Sequence, residues 1–62
     1  MRVKILVDDL MGRFSAGEEG VLLVNDSIKY DYFVELPGAL STPFGAMKRQ
    51  LYFYKDEVVE IT

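Results

Sequence analysis

The sequence predicts an all-β domain of five short strands. Three observations carry that expectation. The stretch Tyr30-Asp31-Tyr32-Phe33-Val34-Glu35-Leu36 consists almost wholly of aromatic, β-branched and alternating polar residues, which is strand composition. Near the start, Val3, Ile5 and Val7 alternate with Arg2, Lys4 and Leu6, the period of a half-buried strand. Turn-forming clusters, Asn25-Asp26-Ser27 and Pro37-Gly38 among them, separate the apolar runs at short, regular spacing.

Each element follows in order. The first strand ends at Asp8-Asp9. Leu10 to Gly20 is a long first loop, since Gly12 weakens any helix that Asp9 would cap. Leu10, Met11 and Phe14 are expected to tuck over the core edge. Gly17 and Gly20 bracket Glu18-Glu19 and are expected to supply positive φ for the turn. Val21-Leu22-Leu23-Val24 is too short for a helix beside that glycine and reads as a strand buried on both faces.

In the third strand Tyr30, Tyr32, Val34 and Leu36 share one face, with Asp31, Phe33 and Glu35 on the other. Tyr32, Val34 and Leu36 should be interior, with Val21 or Leu23 and Phe53 facing them. Pro37-Gly38 should end this strand. Gly38 to Lys48 then forms a second long connection. Thr42-Pro43 suits the start of a short helix, which Gly45 opposes. The alternative is a long hairpin loop whose second arm begins near Met47. In that case Met47, Leu51 and Phe53 share a face with Arg49, opposite Gln50, Tyr52 and Tyr54. Strand four is Gln50 to Tyr54 either way. Lys55-Asp56-Glu57 is a tight polar turn, and Val58 to Ile61 is the last strand.

Composition bounds the function. Sixty-two residues make one domain, 1–62, with no linker or repeat. A chain of this length buries only about 60% of its unfolded surface, so its core is thin. Cys and His are both absent, which removes disulfides, thiolate chemistry, the common zinc ligand and the common general base. Ten acids against seven bases give a net charge of −3, the wrong sign for a phosphate-backbone binder. Duplex DNA is therefore not an expected partner. The run Ile5-Leu6-Val7 is too short for a signal-peptide core or a membrane span, so a soluble, cytoplasmic protein without membrane contact is expected.

No catalytic constellation emerges. Ser15, Ser27, Ser41, Thr42 and Thr62 have no positioned base, so we expect no enzyme, no catalytic residue and no cofactor. Asp8, Asp9, Asp56, Glu57 and Glu60 lack the ligand spacing of a calcium loop and read as solvated turn acids, not a metal site. Tyr30, Tyr32, Phe33, Tyr52 and Tyr54 suit a stacking platform for single strands, but a thin core has first claim on aromatics. The best candidate for partner binding is Leu40, Phe44 and Met47 beside Lys48 and Arg49: apolar anchors rimmed by charge. The competing reading folds this segment back so that Phe44 plugs one end of the core.

Gly17-Glu18-Glu19-Gly20-Val21, Tyr30-Asp31-Tyr32-Phe33-Val34 and the block Tyr52-Phe53-Tyr54-Lys55-Asp56-Glu57-Val58-Val59-Glu60-Ile61 together resemble the SH3-like barrel, and in particular small SH3-like proteins of Bacillus-type bacteria and their phages or prophages. The resemblance implies a five-stranded barrel with a long first loop and a long strand 3–4 loop, closed by Val58 and Ile61. It implies a non-enzymatic protein-binding module, such as a small phage or prophage protein acting on a host protein. The Gly-x-x-Gly-Val turn is similar to that of KOW modules, whose nucleic-acid-facing loops are basic; here it carries Glu18-Glu19. The alternatives are thus a KOW-like RNA- or ribosome-associated module and a structural homo-oligomer.

Overall fold

Alternating apolar residues in every predicted strand need a common surface to bury against, and the fold supplies one. The computed structural model describes residues 1–62. Five antiparallel strands, β1 (Arg2–Ile5), β2 (Glu19–Leu23), β3 (Tyr32–Thr42), β4 (Gly45–Phe53) and β5 (Val58–Glu60), form one sheet of order β4-β3-β2-β1-β5. There is no helix, and hence none long and apolar enough to cross a membrane. The edge strands β4 and β5 do not pair with each other, so the sheet is not hydrogen-bonded into a closed barrel.

The core lies where the inward faces of the curled sheet meet the first loop. Val3 and Ile5 from β1, Val34 and Leu36 from β3, Leu51 and Phe53 from β4, Val58 from β5 and Phe14 from the loop are buried together. Phe14 meets Phe53 edge to face with centroids 4.9 Å apart, the arrangement aromatic pairs prefer. Tyr32, Val7 and Leu22 pack partly against this cluster. The inward face predicted for the third strand is thus correct.

Strand β2 differs from expectation, and register explains why. Leu22 lies opposite Val34, while Val21 and Leu23 lie opposite Glu35 and Phe33 on the outer face. Leu22 therefore faces the core and Val21 is exposed, so β2 is buried on one face only. Gly20, the residue preceding Val21, sits in the same inward row. A Cβ there would meet the Glu35 carbonyl oxygen at 2.6 Å and Leu36 and Val34 side-chain carbons at 2.8 Å. Gly17 has positive φ, as expected, but Gly20 does not. What Gly20 provides is room for β3 to press against β2.

The largest correction concerns residues 38–49. They form no long loop and no helix. β3 and β4 continue as a ladder to a two-residue turn at Pro43-Phe44, with Thr42 opposite Gly45. Pro37-Gly38 does not end β3; it makes a register shift between Leu36 and Ala39. Gly38 adopts φ 86°, which a side chain would resist. The bulge accommodates proline in a strand, where it cannot donate to the ladder. Beyond it, Ala39–Thr42 and Gly45–Lys48 form a two-stranded arm. Elsewhere, Leu10 and Met11 are exposed, and only Phe14 of that trio tucks in. Val58 is buried as expected, but Ile61 remains partly exposed.

Gly20→Ala should therefore cost about 2 kcal/mol or more, because backbone stands in the way of the new methyl group. Val34→Ala should cost on the order of 1–3 kcal/mol by cavity formation. Denaturant midpoints check both, and a Gly20→Ala variant as stable as the parent would refute the close approach.

Candidate functional site

Two surfaces stand out, and the positioning of each begins with local hydrogen bonding. The first is the tip of the arm. The Thr42 hydroxyl donates to the Gly45 carbonyl (2.6 Å) and accepts from the Phe44 N–H (3.2 Å), which stiffens the turn. Pro43 pre-sets the first turn residue. Phe44 is consequently held at the apex with 98% of its surface exposed. It plugs nothing, so the alternative in which it fills the core is excluded. Leu40 and Met47 are cross-strand partners on the arm; Leu40 is half-buried and Met47 exposed. Lys48, opposite Ala39, is exposed.

Arg49, expected among the partner-binding residues, has a different job. Its side chain is only 14% exposed. Nη1 donates to Glu18 Oε1 (2.9 Å) and to the Pro37 carbonyl (2.8 Å); Nη2 donates to Glu18 Oε2 (3.0 Å) and to the Arg13 carbonyl (2.7 Å). One guanidinium thus ties the first loop, the β3 bulge and β4 together. The planar fork suits a bidentate carboxylate, and Lys could not reproduce it. The hydrogen bonds from Arg49 and, secondarily, from the Ser15 N–H hold the Glu18 carboxyl below its ordinary range, and the bond to Glu18 raises the Arg49 guanidinium.

The second surface is a cleft of about 620 Å³ between the first loop and the free edge of β4. Tyr30, Tyr52 and Tyr54 line one side; Leu10, Met11 and Phe14 line the other. Asp8, Asp9, Arg13 and Glu57 also contribute to its lining. The loop wall closes on itself. Asp9 Oδ2 accepts from the Arg13 N–H (2.9 Å) and Nε (2.7 Å), and Oδ1 from Nη2 (3.2 Å). The Arg13 side chain above all holds the Asp9 carboxyl from 3.8 down to about 2. Asp8 and Glu57 each accept a backbone N–H, from Ala16 and Tyr54.

The tyrosine wall is a ladder of rings. Phe33 stacks on Tyr52 at 4.4 Å, Tyr52 on Tyr30 at 5.4 Å, and Tyr30 leans on Tyr54 at 4.8 Å. Tyr30 is presented by the 24–31 loop. Asn25 donates to its carbonyl (2.7 Å), and Ser27 Oγ accepts from its N–H (3.2 Å). The predicted aromatic set is thus brought together, except that Tyr32 turns toward the core.

No three of the chain's carboxylates converge closely enough to hold an ion together. Leu10 and Met11 were missed as surface residues because adjacent apolar residues read as core; the Asp9–Arg13 spacing of four was the available signal that this loop folds onto itself. No protein-family model, curated protein or solved structure matches this chain.

Two expectations follow from the charges. Carboxyls held down in the fold stabilise it above their unfolded range, and that stability is lost as pH falls through the folded values. Melting temperature should therefore decline from about pH 4 toward pH 2, and Asp9→Asn should flatten part of that decline. A profile identical in both proteins would contradict it. Arg49→Lys should cost on the order of 1–3 kcal/mol, whereas Lys48→Ala should stay within about 0.5 kcal/mol; equilibrium unfolding separates the two.

Proposed function

We propose that this chain is a non-enzymatic protein-binding module of SH3-like type. In this reading the tip of the β3–β4 arm is the anchoring element. The observation that carries it is Phe44, 98% exposed at the apex of a turn held by Thr42. A large aromatic side chain in that position adds nothing to the core, yet its surroundings are ordered. An aromatic anchor already held in place loses little entropy on binding. Leu40 and Met47 extend the apolar contact and Lys48 supplies charge beside it. Arg49 leaves the binding set and becomes the residue that holds the arm to the body.

The strand order, with a long loop between β1 and β2 and Val58 packed into the core, supports the SH3-like assignment. The resemblance extends the reading to a small phage or prophage protein that occupies a host protein's surface in the cytoplasm.

The aromatic ladder favours an RNA-associated module as the second reading, with Lys29 Nζ over the Tyr30 ring at 5.4 Å. Two facts weigh against it. The ladder rings lie against one another, so much of their faces is occupied. All three arginines are ion-paired, Arg2 with Glu19, Arg13 with Asp9 and Arg49 with Glu18. Few cations remain for a phosphate track.

Phe44→Ala should leave the melting temperature unchanged while partner capture weakens by roughly 2 kcal/mol or more. A photo-crosslinking residue at position 44 should label a protein from nuclease-treated bacterial lysate. Labelling that disappears with nuclease would favour RNA instead. Duplex DNA should give no gel shift at micromolar protein and about 0.15 M salt.

A further inference from the structure

The molecule carries more apolar surface than its core consumes. Thirteen large apolar or aromatic residues are exposed, against eight in the core. Its accessible surface, 4518 Å² for 7.1 kDa, exceeds the roughly 4,100 Å² expected of a monomer this size. Six of the thirteen lie at two places: Phe44 and Met47 on the arm, and Leu10, Met11, Tyr52 and Tyr54 around the tyrosine cleft.

These two places complement one another. The arm from Ala39 to Lys48 contains no acid, and its one charge is Lys48. It presents Phe44 and Met47 to solvent. The cleft carries Asp8, Asp9 and Glu57 against the single base Arg13, which is spent on Asp9. Its lip is Leu10 and Met11, both exposed. Its far wall is formed by Tyr52 and Tyr54, whose rings pack along the ladder. At about 620 Å³ it lies within the range of pockets that enclose a ligand, about 300–1,000 Å³. One side is therefore apolar and cationic, the other apolar, aromatic and anionic.

A chain's own tip cannot fill its own cleft. The nearest β4 residue lining the cleft is Gln50, five residues along the strand from Gly45, or roughly 17 Å at strand rise. The β3–β4 ladder, paired up to Thr42 and Gly45, keeps the tip at that far end of the strand.

We propose that the occupant of the cleft is the arm tip of a second copy of this chain. Phe44 of one copy seats between Leu10-Met11 and the tyrosine wall of the next, and Lys48 lies toward Asp8 and Glu57. This rests on the reading of the tip as an anchor and names its partner. The contact is heterologous: each copy offers a tip and a cleft, and the two surfaces differ. A hairpin tip covers less than the roughly 1,200 Å² of a stable interface, so association is weak and concentration-dependent.

Two variants remove one half of the contact each without touching the core. Phe44→Ala removes the tip and leaves the cleft; Met11→Lys puts a cation on the lip and leaves the tip. Both positions are exposed, so both variants should melt like the parent. Sedimentation of the parent chain from about 10 μM to 1 mM, the range expected of a contact this small, should show mean mass rising with concentration. Each variant alone should stay monomeric. Mixed in equal amounts they should form a heterodimer and nothing larger, because only one of the two possible contacts is intact. Adding salt should weaken it. A parent that stays monomeric throughout overturns the proposal, as does self-association that survives Phe44→Ala or a mixture that forms no heterodimer. If the parent is monomeric while position 44 crosslinks to a different protein, the tip keeps its anchoring role and only the choice of partner falls.

Discussion

The Arg49 guanidinium is the interaction on which the rest of the structure depends. The first loop has little apolar material directed inward apart from Phe14, so burial alone holds it by one side chain. Arg49 adds four hydrogen bonds that reach Glu18 at the far end of that loop, Arg13 beside Phe14, and Pro37 in the bulge of β3. These groups are separated widely in sequence, and each closure of the chain costs entropy that local turns do not recover. With its side chain mostly covered, the pair is screened less than a surface ion pair, and its bidentate geometry makes it stronger than most. The cleft exists because this clamp holds one end of the loop while the Asp9–Arg13 pair closes the other.

Gly20 sets a second constraint, on β2 and β3. Only a hydrogen fits between its backbone and the Glu35 carbonyl. That closeness brings Val34 and Leu36 over Val3 and Ile5 and completes a core of eight side chains. A chain of this size has no redundancy in its core, so it relies on close backbone packing and on polar ties where larger domains add another apolar layer.

Much of this was legible in the residues. The alternation in Val3/Ile5/Val7 and Tyr32/Val34/Leu36 fixed the buried faces, because period-2 patterning is unambiguous where one face is solvated. It failed at Val21 to Val24, where four consecutive apolar residues carry no phase. Only the register against β3 decides that Leu22 turns inward. The arm was misread for a related reason. Pro37-Gly38 has the composition of a turn, and a bulge uses the same residues for the same conformational needs. Nothing local distinguishes a chain that reverses there from one that shifts register and continues. Arg49 shared its predicted face with Leu51 and Phe53, and that parity already placed a cation over the core edge. Its adjacency to Lys48 invited the opposite reading.

The two candidate surfaces share one cause. β3 and β4 extend beyond the body because the bulge restores pairing after Leu36 and leaves no core for the next residues to cover. Met47 and Phe44 are therefore exposed, and Leu40 only half-buried, by topology, not by misfolding of a loop. The first loop produces the converse. It spends Asp9, Arg13 and Glu18 on internal bonds and only Phe14 on the core, so Leu10 and Met11 stand free above the tyrosine ladder. A structure whose strand pairing and loop bonding are both satisfied still leaves these apolar groups in water. That residual hydrophobic surface, split between a cationic projection and an anionic recess, is the feature on which the proposed contact with another protein surface rests.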